Sequence, residues 1–140
     1  MSQRESVPNT EDFIVRVVGD TTGTEWTGKF TTKKRLSFND QLRRDQARRQ
    51  MLGDAPGKPS ERAESMALIF SELLVRLTTA PSWWTDNDEG RTLEDENAVV
   101  EVYEKALGVE RKALEEVRKR ADKAKEDLKE VAVVDEVSIK

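Results

Sequence analysis

At 140 residues the chain has room for one domain, or one small domain and an extended tail, and not for two full-sized ones. Apolar residues make up 36% and charged residues 37%, against roughly 45–50% and about 25% in an average globular chain, so a small core is expected and a large, deep-pocketed enzyme is disfavoured. Cysteine and histidine are both absent, which removes thiolate nucleophiles, disulfides, Cys/His metal sites, haem ligation and imidazole acid–base catalysis.

No run approaches the roughly 18 apolar residues of a membrane span. The longest apolar cluster, Met66 to Leu77, is interrupted by Ser71, Glu72 and Arg76. A soluble chain in a reducing cytoplasm, with no signal peptide and no membrane partner, is the expectation. The net charge of −4 is unevenly spread. Lys29 to Gln50 holds eight basic and two acidic residues, a net +6, whereas Thr85 to Lys140 holds seventeen acids and eleven bases, a net −6. Such a dipolar layout suits self-association, intramolecular docking, or two different partners at the two ends, or else two solvated surfaces that never meet.

Residues 1–12 are polar and aperiodic, and read as a mobile arm. Phe13–Val18 and Glu25–Thr32 read as two strands of one β-hairpin, with Gly23 in the connecting turn. A lone hairpin is marginal in water, so its apolar face (Phe13, Val15, Val17, Trp26 and Phe30) must pack on helices. Ser37 with Asp40 forms a capping box opening a helix to about Leu52, stopped by Gly53. Its Arg43, Arg44, Arg48 and Arg49 fall at wheel angles of about 0°, 100°, 140° and 240° and so splay around the axis.

After the breaker-rich linker Asp54–Pro59, Ser60 caps a helix to about Thr79 whose Ala63, Met66, Ala67, Phe70, Leu73, Leu74 and Leu77 share one face. Pro81 ends it, leaving Trp83 and Trp84 in a turn. Thr92 and Asp95 then make a capping-box-like start for a further helix, which Gly108 either ends or weakens. Beyond it Leu114, Val117, Ala121, Ala124, Leu128 and Val131 step by three and four, a heptad seam set among charges and expected to protrude or to dock on a partner. The last eight residues are expected to fray. The predicted fold is therefore mainly α: a small N-terminal β-hairpin and a helical bundle over 13–107, then a long charged C-terminal helix with a frayed tail over 108–140.

No constellation carries chemistry. Thr85–Gly90 imitates a calcium loop, with Gly90 at the sixth position and Glu96 at the twelfth, but Thr85 stands where an aspartate belongs and Glu89 departs again, so a solvated turn is the better reading. There is no phosphate-cradling glycine loop and no nucleophile elbow. Neither a cofactor nor a metal is expected, and no catalysis. The candidate partner-binding residues are Trp26, Trp83, Trp84, Leu114, Val117 and Leu128. Indoles dominate interface energetics, although at least one of the adjacent pair is expected to plug the junction between helices. Phosphate contacts by the arginines, with Trp26 or Phe30 stacking on bases, would make a small nucleic-acid-binding regulator, which the negative net charge and splayed arginines disfavour.

The hairpin carrying Trp26-Thr-Gly-Lys-Phe30, the Leu36-Ser37 helix start with Asp45-Gln-Ala-Arg-Arg49, and Ala80-Pro-Ser-Trp-Trp84 followed by Leu93-Glu-Asp-Glu-Asn97 and Val102-Tyr103 together resemble the tail assembly chaperones of long-tailed bacteriophages. The resemblance spans about Phe13 to Leu107. It implies a protein of the host cytoplasm, absent from the mature virion, which keeps the tape measure protein soluble and helps recruit tail tube subunits. The charged terminal helix matches no part of that pattern. A structural tail or neck component of the virion is the alternative.

Overall fold

The computed structural model describes residues 8–53 and 57–139. Residues 1–7 of the expected arm, 54–56 of the expected linker and Lys140 lie outside them. The elements run β1 (Thr10–Val18), β2 (Glu25–Lys33), α1 (Phe38–Leu52), α2 (Glu61–Arg76), β3 (Leu77–Thr79), α3 (Ser82–Thr85) and α4 (Glu96–Ile139). Helices take 59% of the chain, so the mainly helical expectation holds. Contacts divide the chain into a folded unit ending at Glu110 and a second unit from Arg111 onwards.

Both long strands alternate as a half-buried sheet requires. Phe13, Val15 and Val17 in β1 and Trp26, Phe30 and Thr32 in β2 turn inward, and Val15, Phe30 and Thr32 have no exposed surface. Antiparallel register sets Phe13 opposite Phe30 and Val17 opposite Trp26, so the predicted hairpin face is the observed one. β1 begins at Thr10, inside the stretch read as arm, because cross-strand polar contacts hold its start. The Thr31 hydroxyl donates to Asp12 at 2.7 Å, and Asn9 ties down the chain after β2 by accepting from the backbone N–H of Lys34 at its carbonyl and of Arg35 at its side chain.

The sheet has three strands, not two. The helix expected to reach Thr79 stops at Arg76, and Leu77–Thr79 pairs antiparallel with Thr31 and Thr32 as β3. Two β-branched threonines ahead of Pro81 favour extended backbone there, and an open strand edge supplies the partner. One wall of the core is thus the sheet, as the apolar face of the hairpin requires, with a third strand added to it. Val15 and Phe30 meet Leu73 of α2, Trp84 of α3, and Val99, Val102 and Ala106 of α4.

The caps at Ser37 and Ser60 form as predicted: Asp40 completes the first capping box, and Ser60 accepts from the backbone of Ala63. The predicted cap at Thr92 does not form, since α4 begins at Glu96 and Asp95 is engaged elsewhere. Helix α4 continues through Gly108 without interruption and through the expected fray to Ile139.

Candidate functional site

The three tryptophans belong to one aromatic array on the inner face of the sheet. Trp26 and Trp83 lie 5.0 Å apart between ring centroids, Phe30 meets Trp83 and Trp84 edge-on at 5.6 Å each, and Trp83 meets Trp84 edge-on at 6.2 Å. Such geometry favours the contact of ring edge with ring face beyond area burial alone. Trp84 is 1% exposed and is a core residue, which withdraws it from any surface role. Gly90, at φ 86°, makes room for it, because a Cβ there would stand 2.5 Å from the indole. Trp83 and Trp26 are half-buried, and the Trp83 indole N–H donates to the Thr27 carbonyl at 2.9 Å. Gly28 permits that approach, since a Cβ would stand 2.6 Å from the Pro81 ring.

Trp26 is held by a residue that the sequence reads as a helix cap. Asp95 is fully buried and accepts four hydrogen bonds from the β1–β2 segment: from the N–H groups of Thr21 and Thr22 at 2.9 and 2.8 Å, the Thr22 hydroxyl at 2.5 Å, and the Trp26 indole N–H at 2.8 Å. The Thr22 hydroxyl foremost, with the indole and backbone donors, holds the carboxyl down at about 2 in spite of desolvation. Asn97 completes the clasp by accepting from the Asp20 N–H and donating to the Val18 carbonyl. Gly19 must be glycine here, as a Cβ would lie 2.1 Å from the Asp95 carboxylate.

A charged network joins α1 to α2. Arg76, 4% exposed, donates to Glu72 at 2.7 Å and to Glu110, while Arg44 donates to Glu72 at 3.2 Å and to Asp45 at 3.2 Å. Burial opposes the charge on Arg76, yet Glu110 and Glu72 raise its pKa further. Tyr103 is also raised, by burial first and then by Glu72. Arg43 pairs with Asp40, a carboxyl lowered to about 2 by Lys33 and the Ser37 N–H. Two of the four α1 arginines are therefore already engaged by carboxylates. Sequence reasoning missed this network, for which the Glu72/Arg76 four-residue spacing was the available signal.

The α2 face is covered in part. Ala67 and Leu73 are buried, but Ala63 and Leu74 are exposed, and a trough of about 410 Å³ lies along Met51, Leu52, Ala63, Ala67, Phe70 and Arg91. Among the described residues no group of three or more acidic side chains is placed to hold a metal. The Thr85–Gly90 turn is instead closed on itself, with the Asn87 side chain donating to the Trp83 carbonyl at 2.6 Å and Asp88 pairing with Arg91.

In the second unit the described seam residues are exposed. Every residue from Leu114 to Val131 is exposed, with Leu114 at 46%, Val117 at 40%, Leu128 at 69% and Val131 at 58%. Of the six candidate residues the structure brings together Trp26, Trp83 and Trp84, and lines Leu114, Val117 and Leu128 along α4 from its middle onward. Comparison with protein-family models, with curated proteins and with solved structures finds no match to this chain.

Proposed function

We propose that the chain is a non-catalytic binding protein of the tail assembly chaperone type, acting in the host cytoplasm and absent from the mature virion. Its client is the tape measure protein, whose amphipathic helices stay exposed until the tail tube encloses them; by holding that client soluble the chain supports recruitment of tail tube subunits. The observation that carries this reading is the open seam: an apolar line of heptad spacing, Leu114, Val117, Leu128 and Val131, exposed along a continuous helix. Helix-in-groove and helix-on-helix recognition use such a line. Two alanines in it keep each contact weak, so that many copies along one long client gain by multivalency while each is displaced as the tube grows. The half-buried Trp83 and Trp26 offer a second, smaller contact on the folded unit.

Co-expression with a tape measure protein tests this. The expected result is more soluble client and co-purification of the two, both lost when Leu114, Val117 and Leu128 are changed together to serine. An unchanged yield with no co-purification rejects the assignment, and recovery of the chain from purified particles replaces it with a virion component.

A further inference from the structure

We infer that the Leu114–Val131 stretch of α4 is self-complementary, and that in the absence of a client its seam is covered by the same seam of a second copy lying antiparallel. The inference rests on the seam being a binding surface and names the occupant that this chain itself supplies. In heptad terms Leu114, Ala121 and Leu128 take one core position and Val117, Ala124 and Val131 the other. Antiparallel helices set the first kind of position against the second. Centred between Ala121 and Ala124, that arrangement places Leu114 against Val131, Val117 against Leu128 and Ala121 against Ala124, with each pair repeated by the two-fold axis. Every large residue meets a large one, and the alanines meet at the centre, where the helices approach most closely. A shift of one heptad sets Ala121 against Val131 and Ala124 against Leu128 and leaves Leu114 and Val117 outside the matched layers, so the register is fixed by side-chain size.

The charged flanks select direction. In the antiparallel register Arg120 shares a flank with Asp127 of the second copy, two residues (about 3 Å) off level, twice by symmetry; a parallel pair would set Arg120 against Lys125 twice. The opposite flank brings Arg118 beside Lys125 of the second copy, again two residues (about 3 Å) off level. Each is flanked by acids of its own helix at three- and four-residue spacing, Arg118 by Glu115 and Asp122, Lys125 by Asp122. From Arg111 to Lys140 there are nine basic and eight acidic residues, so two copies meet with little net repulsion. The matched seam is roughly 27 Å long at 1.5 Å per residue and narrow at its centre. It falls in the interface class below about 1,200 Å², weak and reversible, as release to a client demands.

Sedimentation of the full chain over a concentration series, with cysteine trapping, decides it; the absence of native cysteine makes trapping clean. The expected result is a monomer–dimer equilibrium that Val117→Glu with Leu128→Glu abolishes. Asp127→Arg should weaken it about tenfold, with recovery on adding Arg120→Asp. Under oxidation Leu114→Cys alone should give no disulfide-linked dimer, and Leu114→Cys with Val131→Cys should give one. A chain monomeric up to about 1 mM, a dimer indifferent to the seam substitutions, or disulfide formation by Leu114→Cys alone would each overturn the inference. A monomer that still co-purifies with the tape measure protein removes the dimer and leaves the client assignment standing; a seam dimer without client binding does the reverse.

Discussion

Up to Glu110 the described residues build a buried core around Val15, Phe30, Leu73 and Trp84, although Phe38, Leu42 and Leu74 stay exposed; from Leu114 to Val131 every residue is exposed, and an apolar line stands in water. Among the described residues no buried side-chain nitrogen or oxygen lacks a hydrogen-bond partner, and the buried charges of Glu72, Arg76 and Asp95 are all engaged. From Leu114 to Val131 α4 is helical with every residue exposed, although isolated helices of that length are marginal in water. On the proposed reading stability and binding belong to different stretches of one chain, and substitutions should separate them.

The largest effect expected is on the folded unit. Trp84→Ala empties the centre of the aromatic array and should cost about 3–5 kcal/mol, enough to unfold a marginal domain, as read by loss of a cooperative denaturant transition. Arg76→Met leaves Glu72 and Glu110 without their shared cation and should cost about 3 kcal/mol. A midpoint within experimental error of the wild type would remove that network from the account.

Acid should act through Asp95. Its folded pKa of about 2 lies below the unfolded value of about 3.9, so its contribution is complete above pH 4 and is lost as the pH falls through 2. Asp40, also near 2, titrates in the same window. Asp95→Asn should be less stable than wild type at neutral pH and should lose less on going from pH 4 to pH 2. Parallel stability curves for the two proteins would show that the clasp contributes nothing through its charge.

The smallest effect on stability, and the sharpest on binding, belongs to the seam. Val117→Ser and Leu128→Ser should each leave the unfolding free energy within about 0.5 kcal/mol of wild type, while reducing co-purification of a helical client. Loss of stability with retained binding would invert the division between the two regions.

Much of the folded unit was legible in local patterns. Period-two alternation gave the inward set Phe13, Val15, Val17, Trp26 and Phe30, and serine caps gave the starts of α1 and α2. What was not legible was long-range. Leu77–Thr79 continues a helical spacing locally and becomes a strand because β2 offers it an edge. Asp95 has the spacing of a capping residue, yet the hairpin segment supplies four donors that compete for it. Adjacent tryptophans read alike in sequence and separate when Gly90 opens a pocket for Trp84 alone. The seam was legible because its helical periodicity is local, and from Leu114 to Val131 every residue is exposed.

Backbone amide exchange along α4 tests the central claim most directly. In dilute solution the amides from Leu114 to Val131 should exchange far faster than those from Ala98 to Ala106, and should gain protection when a client helix is added. Slow exchange over both stretches in a dilute monomer, unchanged by client, would mean that the seam is already covered and that the chain has no open surface to offer.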